Sequence, residues 1–99
     1  MVGSPLSHLR CYLAEWYRPE LTEELLEHTV ARLDECVRSI CAAGSPVHLL
    51  TVLAVPNDEL IFGVFAAGST HVVTQVCSQA EIPAQRISPA IDGRAARQT

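Results

Sequence analysis

Four histidines, four cysteines and seven arginines, with no lysine, are the side chains of this 99-residue chain best suited to chemistry. Imidazole and thiolate together make a donor set for nickel, copper or zinc. Their spacing is less specific, because the sequence holds neither Cys-x-x-Cys nor His-x-x-x-His. Glu24 and His28, four apart, share one face of a predicted helix and can hold a metal from the surface, although a solvated helix face is the simpler account. His8, His28 and His48 are the candidate metal ligands. His8 and Cys11 have opposite strand parity, so one strand does not easily aim both at one ion. His71 reads as exposed.

A nucleophilic cysteine needs a thiol acidified by a neighbouring His or Arg. Cys11 shares the parity of Leu9 and Leu13 and reads as core filling, whereas Cys77 lies at the edge of an apolar helical stripe and is the candidate accessible thiol. A Gly-rich phosphate loop, a paired-carboxylate motif and a nucleophile elbow are all missing. No catalytic residue is therefore assigned. The remaining constellation is Arg10, Tyr12 and Trp16 on one side of the first predicted strand, joined by His48 from the second if register permits. Aromatic groups with polar tips on an apolar surface suit a small-ligand pocket and a dimer interface alike.

The elements that must position these residues follow from periodicity. Residues 8–17 alternate, with Leu9, Cys11 and Leu13 against Arg10, Tyr12, Ala14 and Trp16, and predict a strand ended by Arg18-Pro19-Glu20. Thr22 is placed to cap a helix over 23–43, with Glu23 and Glu24 in its favourable first turn. Its apolar stripe is Leu26, Val30, Leu33, Val37 and Ile40, and Gly44 ends it. Strands over 47–55 and 60–67 are joined by Pro56-Asn57-Asp58-Glu59. In the first of these Val47, Leu49, Leu53 and Val55 oppose His48, Leu50, Val52 and Ala54. Both strands are apolar on both faces, so something should cover the second face. Ser69 caps a helix over 70–80, Ile82-Pro83 stops it, and residues 86–91 form the last strand.

The order β-α-β-β-α-β is the split βαβ, or ferredoxin-like, pattern of an α+β domain. It predicts a four-stranded antiparallel sheet with two helices on one face, of the dimeric α+β barrel type. One domain spans 8–92, with flexible termini at 1–7 and 93–99.

Composition narrows the partners. A formal charge of −4 lacks the basic footprint of a nucleic-acid binder. The longest apolar runs are too short to cross a bilayer, and the first residues lack the signature of an export signal. A cytoplasmic location follows, and with it four free, mostly buried thiols rather than two disulfides.

The stretch Phe62–Ile87 resembles a family of small bacterial ferredoxin-like proteins of unknown function, named after a nickel-binding actinobacterial member. The features that carry the resemblance are the strand end before a Ser-capped helix and the Ala-x-x-Pro-x-x-Arg-Ile pattern of Ala80, Pro83, Arg86 and Ile87. The Tyr17-Arg18-Pro19-Glu20-Leu21-Thr22 junction is also similar, and the likeness spans roughly residues 9–91. It implies a homodimer and binding of nickel or another divalent transition metal. Two positions at which relatives carry Cys and His align with Gly63 and Val76, neither of which can ligate.

These readings converge on a small cytoplasmic binding protein: a homodimer holding a small ligand or a transition metal ion. The alternatives are a dimeric α+β barrel enzyme acting on a small apolar molecule through Arg10, Tyr12 or His48, and a purely structural or regulatory interaction domain.

Overall fold

The computed structural model describes residues 9–94. Its elements are β1 (Arg10–Tyr17), α1 (Glu23–Ala42), β2 (Val47–Val55), β3 (Leu60–Ala67), α2 (Thr70–Gln79) and β4 (Arg86–Ala90). Every boundary lies within two residues of the sequence reading.

Local chemistry explains the ends. Thr22 Oγ1 accepts from the Leu25 amide at 3.1 Å, and Ser69 Oγ accepts from Val72 at 3.4 Å, so each helix starts on a hydroxyl cap. Gly44, at φ 109°, takes the left-handed conformation that closes α1. A single 3-10 turn over Pro56–Asp58 links β2 to β3, with Glu59 left-handed at its end.

The strands pair antiparallel in the order β2-β3-β1-β4, the ferredoxin-like arrangement. The helices cover one face. Tyr12, Ala14, Trp16, Val47, Ile61, Phe65 and Ala67 of the sheet pack there with Leu33, Val37 and Ile40 of α1, Val73 and Val76 of α2, and Ala80 at the cap of α2.

The expected barrel does not form. Among the described residues the sheet stays open, with β2 and β4 as separate edges. Four twisted strands are about half the number that closes a small barrel.

The faces of β1 are the reverse of the sequence reading. Tyr12, Ala14 and Trp16 are buried under the helices, while Cys11, Leu13 and Glu15 point to the uncovered face. Two aromatic rings have more apolar area to hide than Cys11 and Leu13. The indole also finds a partner: Trp16 Nε1–H donates to the Ile82 carbonyl at 2.7 Å.

β2 departs from simple alternation as well. Its register against β3 shifts between Leu49 and Thr51, leaving Leu50 as the extra residue of a bulge. Val47 and Leu49 before the bulge, and Val52 and Ala54 after it, share the helix side, opposite core-facing residues of β3. His48, Thr51, Leu53 and Val55 take the uncovered side. The predicted partition of Leu53 and Val55 with Val47 is thereby corrected. At the other edge, Pro89 sits within β4 opposite Tyr12 and removes one amide donor from that strand.

The predicted flexible segment 1–7, the ligand candidate His8 and residues 95–99 lie outside the described residues.

Candidate functional site: the uncovered sheet face

Strand register lays the uncovered face out in rows. His48, Ala66, Cys11 and Ala90 form one; Thr51, Val64, Leu13 and Ser88 the next; Leu53, Phe62, Glu15 and Arg86 the third. Val55, Leu60 and Tyr17 close the end near the turn. The centre is apolar and half-buried, formed by Leu13, Phe62 and Val64. Leu53 is 59% exposed and Tyr17 52%, unusual values for large apolar side chains arranged on one surface.

Charge sits inside this surface. Glu15 Oε2 lies 3.8 Å from Arg86 Nε, and the Glu15 side chain is only 24% exposed against 73% for Arg86. Arg86 Nε–H also donates to Ser88 Oγ at 3.1 Å. The acid is held low among Phe62 and Leu13 while the base reaches outward. At the far end, Tyr17 Oη–H donates to Glu59 Oε1 at 3.4 Å.

Of the residues selected from sequence, the structure leaves only His48 on this face, exposed on the edge strand. Arg10 is exposed at the start of β1, with the parity of the helix-covered side. Tyr12 and Trp16 are core residues, 5% and 6% exposed, so the predicted cluster of Arg10, Tyr12, Trp16 and His48 is divided by the sheet. An enzyme reading through Arg10, Tyr12 and His48 loses its shared surface for the same reason.

Glu15, Leu53, Phe62 and Arg86 are the members that sequence reasoning missed. Glu15 carried the available signal. It shares the parity of Cys11 and Leu13, and an acidic residue in that row marks the side without helices.

The thiols are unpaired. Cys36 and Cys77 are buried, Cys11 is half-buried and Cys41 exposed. Burial, and then the negative charge of Asp92, push the Cys11 thiol above its ordinary range. Burial raises the Cys77 thiol to about 11. Both shifts keep the thiol protonated at neutral pH, the wrong state for a nucleophile or a metal ligand. Cys77, the candidate accessible thiol, is buried between the helices and the sheet.

The candidate nickel donors among the described residues lie on separate elements. His28 lies on α1, His48 on β2 and His71 on α2, and among the described residues no three His, Cys, Asp or Glu side chains converge. Gly63 and Val76, aligned with ligand positions of the resembling family, are both buried in the core.

No helix among the described residues is long and apolar enough to cross a membrane. The sequence matches no protein-family model, and no curated protein matches it. Among solved structures, the fold is similar to that of SCO4226 from Streptomyces coelicolor A3(2), with a TM-score of 0.73. The two share 15% sequence identity over 84% of this chain and 98% of the other. At that identity the likeness establishes a common fold, and it bears out, at that level, the resemblance to small actinobacterial ferredoxin-like proteins.

Proposed function

We propose that this chain is a small cytoplasmic binding protein that works as a homodimer, two copies meeting through the uncovered sheet face and holding a small apolar ligand at the seam. The observation that carries this reading is the row in which exposed Leu53 stands beside half-buried Phe62 and Glu15 and the outward-reaching Arg86. An isologous contact requires one patch to complement itself. This face offers an apolar centre, an acid and a base in a single row. Each copy can therefore set its Arg86 toward the acidic row of the other while the apolar centres meet. A stable contact of this kind buries about 800 Å² per partner. His48 stands at the rim, where an exposed imidazole can supply a polar contact to the ligand.

Sedimentation of the full chain tests the reading. The unaltered protein is expected to sediment as a dimer at micromolar concentration, and Phe62→Glu as a folded monomer. Native mass spectrometry of untagged protein should then show a dimer mass with retained small-molecule mass. A monomer that binds no hydrophobic dye overturns the proposal.

A further inference from the structure

On the helix-covered side, a cleft of about 200 Å³ opens between the end of β1, the start of β3, α1 and the link from α2 to β4. Trp16 and Ile61 form its apolar wall with Ile82, and Thr29, Arg18 and Glu81 supply the polar groups. The wall is fixed. Trp16 and Ile61 are 6% and 1% exposed, and the indole N–H is anchored on the Ile82 carbonyl at 2.7 Å. Arg18 N–H donates to the Glu59 carbonyl, tying the Arg18 backbone to the β2–β3 turn, and Gln85 N–H donates to the Glu15 carbonyl at 2.9 Å.

The two charged groups of the cleft differ in their company. Glu81 Oε1 lies 3.6 Å from Arg32 Nη2, and Arg32 is itself held by donating from Nε to the Ala80 carbonyl at 3.0 Å. Arg18 forms no ion pair among the described residues. The cleft thus presents one uncompensated guanidinium beside an apolar wall. Glu81, left-handed at φ 63°, follows the Ala80 cap and turns the chain out of α2, with Ile82 N–H donating to the Cys77 carbonyl.

We propose that this cleft binds a small monocarboxylate with a flat or branched apolar body, its carboxylate on Arg18 and its body against Trp16, Ile61 and Ile82. A guanidinium pairs with a carboxylate through parallel N–H donors, a geometry an ammonium lacks. The volume falls below the range of about 300–1,000 Å³ that drug-sized ligands occupy, so the ligand is a small metabolite. Except for Tyr17, which also closes the end of the dimer face, the lining lies on the helix-covered side of the sheet.

Trp16 is the only tryptophan, so its indole N–H gives one unambiguous amide-region resonance in a 15N-labelled sample. The probe is phenylacetate, titrated against the full chain, with phenethyl alcohol as the uncharged control. The expected result is a saturable shift of the Trp16 resonance with phenylacetate, at least about tenfold weaker with the alcohol and with Arg18→Met, the equivalent of about 1.4 kcal/mol. The comparison of the two probes needs no variant and so survives any loss of folding in Arg18→Met. No saturable shift up to about 10 mM, weaker than the millimolar end of the affinity scale, overturns the proposal. Equal binding of acid and alcohol, or undiminished binding by folded Arg18→Met, overturns it as well.

Discussion

The six-membered ring of Trp16 lies across Gly63: a Cβ on Gly63 would stand 2.9 Å from Trp16 Cζ3 and 3.0 Å from Cη2. The two residues are diagonal neighbours, since Trp16 pairs with Ile61 and Ala14 with Gly63. The missing side chain of one makes the space for the indole of the other. A cysteine at position 63 has no room beside this tryptophan while the indole keeps its place.

Gly63→Ala is therefore expected to destabilise. In an ordinary strand interior the change would gain about 0.5–1 kcal/mol from lost chain entropy. Here a rigid ring must move, and overpacking of a dense core costs about 1–3 kcal/mol. The clash wins. Urea unfolding should show a lower midpoint for Gly63→Ala, and the loss should shrink in a Trp16→Leu background, because the two positions are coupled.

Trp16→Phe keeps an aromatic ring but removes the donor to the Ile82 carbonyl. A buried polar group left without its partner costs about 1–3 kcal/mol. Circular dichroism against urea checks this without depending on tryptophan emission.

Charge exchange tests the dimer face. Arg86→Glu places a second carboxylate beside Glu15 and is expected to raise the dimer dissociation constant at least about tenfold. Adding Glu15→Arg restores one charge of each sign to the row and should recover most of the association. Sedimentation equilibrium at several protein concentrations decides it, and a dimer insensitive to both changes would refute the assigned face.

The thiols should react in the order of their exposure. Alkylation of the folded protein is expected at Cys41 first, at Cys11 slowly, and at Cys36 and Cys77 only after unfolding; intact mass follows each step. Because burial raises the Cys77 pKa in the folded chain from 9.0 to about 11, the unfolded chain releases this proton first as pH rises. The contribution of the neutral thiol is therefore complete below pH 9 and lost between pH 9 and about 11. Cys77→Ser should flatten the decline of urea midpoints across that window.

Scattered imidazoles predict weak metal binding. Calorimetric titration of chelator-stripped protein with nickel is expected to show no stoichiometric, submicromolar event. Such an event, abolished by His48→Ala or His8→Ala, would place a site on groups brought together between copies.

Caps and turns made the element order legible. Thr22, Ser69 and Gly44 act through a few neighbouring residues, and each stands where its local chemistry required. The choice of face was harder. In β1 two parities compete, and only tertiary packing shows that Tyr12 and Trp16 outweigh Cys11 and Leu13. The bulge at Leu50 carries no glycine to announce it, so the parity of Leu53 and Val55 could not be read forward from Val47. The candidate site inherited both errors. His48 lies before the bulge and kept its side, whereas Tyr12 and Trp16 followed the wrong face.

Both ends of the sheet are poor templates for another strand. An irregular Leu50 interrupts the ladder along β2, and Pro89 withholds a donor along β4. Sideways extension into ribbons or fibrils is disfavoured at each border of the molecule. A chain that exposes Leu50, Leu53 and Tyr17 is thus steered away from open-ended polymerisation, toward contacts that terminate once two surfaces have met.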